Sequence, residues 1–195
     1  MRSNEQTIEL RDGRTVLLRH SREGDAQRVH AYICALGRST DMILTYEDDL
    51  PPIERIQSHI DMIPKGQFYS LVAIDLETGD VVGNASFRFA VRKKLAHTAE
   101  LGMGVLPSHQ GIGLGTMMLA RAIEDMKMHP QIDRLDLTVI ASNTHARQMY
   151  QRRVCGGRRQ DQRPQAAQRA IRRRGDDGAV DRGVVIRWPS DPKAQ

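Results

Sequence analysis

The residues best placed to do chemistry stand in the phrase Val105-Leu-Pro-Ser-His-Gln-Gly-Ile-Gly-Leu-Gly-Thr116, where Gln110-x-x-Gly113-x-Gly115 falls at the start of a helix-like run. Glycines at such a junction let the backbone approach a ligand closely and adopt conformations barred to other residues. The first amides of a helix lack intrahelical partners, and with the helix dipole they can hold an anion such as a pyrophosphate. Other glycine turns also hold phosphates. The dinucleotide-binding turn belongs to a βαβ unit and is answered by an acidic residue after a second parallel strand; here the preceding strand falls in an antiparallel meander and no such residue follows. The Walker turn requires Gly-Lys-Ser/Thr, which is absent from this phrase. A tight turn that merely packs a helix is the structural alternative.

Other reactive side chains offer less. His20, His30, His59, His97, His129 and His145 show no metal-ligand spacing, and His109 beside the turn reads as a polar loop residue. The two cysteines, Cys34 and Cys155, make neither a metal site nor a disulfide framework. The nine methionines read as core filling.

The elements that must position the turn are legible from periodicity. Residues 7–10 and 15–19 flank Asp12-Gly13 and predict a hairpin. Ser21 is placed to cap a helix to about Ala35, with Ala26, Val29, Ile33 and Leu36 on one face. A loop over Gly37–Leu50 precedes a second helix opened by Pro51-Pro52, with Ile53, Ile56, Ile60 and Ile63 at helical spacing. Strands follow at Phe68–Ile74, Val81–Ala90 and Ala96–Leu106, then a helix at about Gly113–Met128, a strand at Leu135–Ile140, and a helix capped by Asn143 that reaches at least Tyr150. The order β-β-α-α-β-β-β-α-β-α describes one mixed α/β layered domain.

With the glycine turn placed after a meander strand, the phrase 105–116 resembles the acetyl-CoA signature Arg/Gln-x-x-Gly-x-Gly/Ala of the GNAT N-acetyltransferase superfamily. Thr138-Val-Ile-Ala-Ser-Asn143-Thr-His-Ala-Arg-Gln-Met-Tyr150 is similar to that family's next strand and helix. The resemblance covers about residues 7–152. It implies a GNAT-like acyl-CoA N-acyltransferase fold, a mostly antiparallel mixed sheet flanked by helices. It further implies that the backbone of Met103 and Val105 pairs with the pantetheine arm like an added strand. The amides of Gln110, Gly111, Ile112, Gly113, Leu114, Gly115 and Thr116 would cradle the pyrophosphate, and Asn143 would contact pantetheine or order its loop. Tyr150 would protonate the departing thiolate, and Glu100 would act as general base, directly or through water. A simple core or surface tyrosine and a solvated strand carboxylate are the plain alternatives. Acetyl-CoA is the implied cosubstrate, with no metal; the partner is an amine on a small molecule or protein, and the resemblance leaves room for a homodimer.

The resemblance lapses at about residue 153. Residues 152–195 hold 12 Lys/Arg against 5 acidic residues, whereas residues 1–151 hold 17 against 19, so the tail alone makes the chain basic at +5. Residues 152–182 contain no aromatic and no sustained periodicity, the composition of an irregular segment. Codons for Arg152 to Gly157 can be CGC CGG GTT TGT GGA GGA; shifted by one base they read Ala-Gly-Phe-Val-Glu, restoring the Gly-Phe pair that follows the helix tyrosine in the family. The same shift turns Ala170 to Arg182 into Pro-Phe-Val-Asp-Glu-Val-Met-Met-Ala-Arg-Leu-Ile, a plausible last strand. A frameshift near Arg152 is the expected origin of the 153–195 tail, and the gene's nucleotide sequence tests it. The family's last two strands are then expected to be missing or disordered, leaving the Leu135–Ile140 edge bare.

The length of 195 residues suits one domain, and 39% apolar with 27% charged residues is ordinary for a globular protein. No apolar run approaches a membrane span, the polar start lacks a signal peptide, and a cytoplasmic protein is expected. The expected function is acetyl transfer from acetyl-CoA to a primary amine. The alternatives are a disabled relic that at most binds acyl-CoA, and nucleic-acid binding through the basic tail, which has neither interleaved aromatics nor a binding motif.

Overall fold

The computed structural model describes residues 5–40, 50–140, 142–154 and 180–187. Seven strands form one sheet in chain order: β1 (Glu5–Glu9), β2 (Thr15–His20), β3 (Phe68–Asp75), β4 (Val81–Phe89), β5 (Thr98–Val105), β6 (Arg134–Ile140) and β7 (Val180–Arg187). Every neighbouring pair is antiparallel except β5 and β6. That single parallel pair needs a crossover, which α3 (Leu114–Lys127) supplies. The other helices are α1 (Ala26–Ser39), α2 (Ile53–Asp61) and α4 (Thr144–Val154).

Both faces of the sheet are covered, which is why the central β3 reads as a nearly continuous apolar run and is buried along almost its whole length. On one face α1 and α2 lay Val29, Tyr32, Leu36, Ile56 and Ile60 against Val72, Ile74 and Val81. On the other, Leu114, Met118, Leu119, Ala122 and Met126 of α3 join Val16, Leu18, Leu71, Ala85, Phe87, Leu101, Leu135 and Leu137. The apolar spacing of each helix therefore marks the face it buries.

The expected elements stand within a few residues of their places, with two differences. Ser21 does not cap α1: its hydroxyl bonds Ser70 Oγ at 2.7 Å, and the helix begins five residues later. Asp25 holds the N-cap position but gives its carboxylate to the Arg19 guanidinium at 2.6 and 2.8 Å and to the Arg22 amide at 2.9 Å. Most of the expected loop (41–49), Cys155 and the greater part of the tail (155–179 and 188–195) lie outside the described residues. Within the tail, however, β7 pairs with β6 in register Leu135↔Ile186 and Leu137↔Val184, so the β6 edge is not bare. Three consecutive β-branched residues, Val184-Val-Ile186, give that segment local strand propensity despite its basic surroundings. Among the described residues no helix is long and apolar enough to cross a membrane.

Candidate functional site

The parallel pairing of β5 with β6 runs only from Thr98↔Arg134 to Leu101↔Leu137. Beyond it the strands part, and among the described residues Gly102–Val105 has no strand partner on that side. The hydrogen-bond phase shows what faces the opening. The amide of Leu106 bonds the Val82 carbonyl at 2.9 Å, so position 106 points its backbone toward β4. By antiparallel alternation Met103 and Val105 direct theirs the other way, into the gap. The Val105 carbonyl takes the Gln110 side-chain amide at 2.8 Å, which ties the loop back to the strand end. A cleft of about 500 Å3 occupies the splay, lined on its two walls by Glu100–Gly104 and by Thr138–Ile140. Gly104 keeps its floor low: a Cβ there would lie 2.6 Å from Leu36 Cδ2 and 2.8 Å from the Tyr32 hydroxyl. A larger depression of about 650 Å3, between Gly24 and α2, contains none of the expected site residues.

At the end of β5 a 3-10 turn, Pro107–His109, leads into the glycine turn. Gly111 and Gly113 have φ of 76° and 97°, a left-handed region that strains any residue with a side chain. Gly113 is the N-cap of α3 and no side chain caps the helix; the first turn carries no acidic residue. Among the described residues the amides opening α3 therefore have no side-chain cap, and no carboxylate of the first turn competes for them.

The turn is braced from behind. His109, expected in a polar loop, is only 5% exposed. Its Nε2 lies 3.0 Å from Asp75 Oδ2 on β3, and its Nδ1 lies 2.9 Å from Ser108 Oγ. Arg14 of the β1–β2 hairpin donates to the Ser108 carbonyl at 2.7 Å and to Asp12 at 2.7 Å, and its Nη1 reaches the same His109 nitrogen at 3.0 Å. With Nε2–H donated to Asp75, Nδ1 accepts from the Ser108 hydroxyl, and the Arg14 guanidinium, a donor only, lies against Nε2 without a hydrogen bond to it. The Arg11 amide bonds the Ile112 carbonyl at 3.4 Å, setting the hairpin directly against the turn.

Across the cleft, Asn143 begins α4 and its Oδ1 accepts from the Ala146 amide at 3.0 Å, a side-chain N-cap as the sequence predicts. Tyr150 is 6% exposed and lines the cleft with Asn143 and Ala146. Burial pushes its phenol up to about 12, so it carries its proton at neutral pH. The only fully buried side-chain nitrogen or oxygen without a partner among the described residues is Arg19 Nε, so the Tyr150 hydroxyl, which makes no hydrogen bond there, opens on the cleft. Glu100 also lines the cleft, but its side chain is 56% exposed and stands 3.8 Å from Arg88 across the β4–β5 pair.

Sequence reasoning missed the wall opposite the turn. Asn84, Ser86 and Arg88 project from alternate positions of β4 into the cleft, joined by Tyr32 and Ile33 of α1 and by His59 of α2, which stacks on Phe68 at 4.7 Å. The signal was present: Asn84-Ala-Ser-Phe-Arg88 alternates polar and apolar, a half-open strand face in a sheet otherwise covered on both sides. Among the described residues no group of three His, Cys, Asp or Glu could hold a metal ion.

Comparison with known proteins bears on this geometry. A model of the acetyltransferase (GNAT) family matches residues 39–156. A GNAT-family acetyltransferase from Streptococcus pneumoniae is similar in structure, with a TM-score of 0.66 and 25% identity over 71% of this chain and 82% of that one. A ribosomal-protein-alanine N-acetyltransferase from Brucella melitensis gives 0.60 and 25%, over 70% and 82%. The Salmonella typhimurium protein yncA, solved with its cofactor acetyl-CoA, gives 0.71 over 99% and 100%; at 18% identity that is a likeness of fold. No curated protein matches the chain in sequence.

Proposed function

The chain belongs to the GNAT family of acyl-CoA-dependent N-acetyltransferases, and from that premise we propose that it transfers an acetyl group from acetyl-CoA to a primary amine by direct attack. The observation that carries this reading is the parting of β5 from β6 beside an uncapped, acid-free helix start. The first supplies an open strand edge on the cleft, and the second an anion site in the turn that follows that strand.

When bound, acetyl-CoA supplies an activated acetyl group on a thioester. The backbone of Met103 and Val105 holds the pantetheine arm. The amides of Gln110, Gly111, Ile112, Gly113, Leu114, Gly115 and Thr116 hold the pyrophosphate, and a backbone amide near Val105 polarises the thioester carbonyl. Asn143 fixes the start of α4 and thereby the place of Tyr150. Tyr150, a phenol protonated at neutral pH and held the more firmly so by burial, donates its proton to the departing thiolate. Glu100, at the solvent side of the cleft, takes the amine's proton directly or through water. The catalytic unit is the 7–152 segment with β7 along its last edge, and its setting is cytoplasmic.

The direct test is release of free thiol from acetyl-CoA in the presence of a broad amine set, followed by identification of the N-acetyl product. Amine-dependent thiol release is the expected result. Binding of acetyl-CoA with no release for any amine would identify the chain as a relic that keeps the cofactor site alone.

A further inference from the structure

The cleft continues, past Asn84, Ser86 and Arg88, into a groove of about 210 Å3 between α2 and β4. We infer that this groove is the subsite for an anionic group on the acceptor, so that the amine acetylated here also carries a carboxylate or a comparable anion. The inference rests on the acetyl-transfer reading and names the substrate class within it.

Two arginines, Arg55 of α2 and Arg88 of β4, line the groove, and no carboxylate does among the described residues. The Arg55 side chain makes no ion pair or hydrogen bond with any described residue, and the Arg88 guanidinium has only the loose contact with Glu100 at 3.8 Å, both partners more than half exposed. The Ser86 hydroxyl faces the same space and is likewise without a described partner. Ser70, by contrast, is committed to Ser21 and Asn84. Three donors, two of them cationic, therefore converge on a groove whose remaining lining is largely apolar: Val29, Ile33, Ile56, Ile60 and Phe68. His59 stands between the arginines. Burial, and then the positive charges of Arg55 and Arg88, hold its imidazole below the ordinary value, so it is neutral at physiological pH and both cations bear on it.

Positive charge that no described carboxylate lining the groove offsets concentrates anions there and repels a bare ammonium. An amine with no acid group would enter against that field. An amine bearing an anion places it between Arg55 and Arg88, which leaves its nitrogen toward Gly102–Gly104 and Glu100, the side where the acetyl group is expected. Charge-assisted donors of this kind discriminate by geometry as well as by charge.

The experiment pairs acceptors that differ only in the carboxylate: L-alanine with ethylamine, L-methionine with 3-(methylthio)propylamine, L-phenylalanine with phenethylamine. Initial rates are read as KM and kcat for the full chain, Arg55→Gln and Arg88→Gln. A carboxylate-bearing member is expected to have the lower KM. Each arginine substitution is expected to raise that KM about 10-fold or more while leaving the KM of its carboxylate-free partner, an ammonium cation, unchanged or lower. A binding arm makes the test independent of turnover: N-acetyl-L-phenylalanine and N-acetylphenethylamine are titrated calorimetrically into the CoA-loaded protein. Tighter binding of the acid, lost in Arg55→Gln, supports the inference. Equal or tighter binding of the neutral compound, or an equal effect of Arg55→Gln on both, overturns it. Failure of CoA itself to bind is a separate result, which removes the acetyl-transfer reading and this inference with it.

Discussion

Tyr150 and Gly113 stand in the two chemically distinct halves of the proposed site, and each can be tested alone. Replacing Tyr150 by Phe removes one hydroxyl from a cleft wall and leaves the ring's packing in place. The kcat is expected to fall by about 10²-fold or more, with acetyl-CoA affinity unchanged by titration. An unchanged kcat makes Tyr150 a packing residue. Because burial lifts its phenol to about 12, the wild-type rate should show no loss attributable to this acid across the neutral and mildly alkaline range. Gly113→Ala acts differently. At a φ of 97° the added Cβ strains the backbone by about 1–2 kcal/mol. Space is not the obstacle, since the nearest atom to that Cβ would be Arg11 Nε at 3.7 Å. The expected outcome is weaker CoA binding together with a lower unfolding temperature, both relative to the unmutated chain.

At the scale of elements, the glycine turn depends on parts far from it in sequence. The β1–β2 hairpin and the end of β3 hold it through Arg14, Asp75 and the buried ring of His109. His109→Ala is expected to weaken CoA binding about 10-fold, measured by titration, while pantetheine, which lacks the phosphates, is held as before. An equal loss for both would mean that the whole strand end has shifted instead. This brace was not legible in the sequence, because His109, Asp75 and Arg14 are brought together only by sheet register. Local signals fared better. Period-2 and period-3.6 patterns located the strands and helices through residue 150, and Asn143 was identified as a cap from its type and place. Ser21 was misplaced because Ser21-Arg-Glu-Gly-Asp25 offers two capping residues, and tertiary bonding to Ser70 takes the first. The glycine turn was readable because its backbone demand is written in residue type. The β4 wall was not read, although its alternation was visible, because β-face polarity gains meaning only once α2 is seen to leave a groove beside it.

For the whole molecule, stability and the tail are linked through the two ends of the sheet. Near one end, Arg19 and Asp25 form an ion pair with side-chain exposures of 3% and 5%. Burial works to raise the Asp25 carboxyl, but the Arg19 guanidinium and the Arg22 amide outweigh it and hold the group below its ordinary value of 3.8. A lowered carboxyl contributes stability that is complete above that ordinary value and is lost as pH falls through the lowered one. Asp25→Ala leaves a buried guanidinium unpaired and is expected to cost about 3–5 kcal/mol at neutral pH, read in denaturant melts. The penalty should shrink in strong acid, where the wild-type pair is itself lost. At the other end β7 covers β6. Proline at Val184, which faces Leu137 in the register, removes a backbone donor there. Concentration-dependent association in size-exclusion runs is the expected consequence, because the β6 edge is then open to pairing. The account as a whole stands on the claim that the amides opening α3 grip the diphosphate of CoA. Calorimetric titration of the full chain with CoA and with pantetheine tests it most directly. CoA is expected to bind at least about 10-fold more tightly than pantetheine, with most of that difference gone in Gly113→Ala. Equal affinity for the two compounds, or no heat with CoA at millimolar concentration, would contradict it.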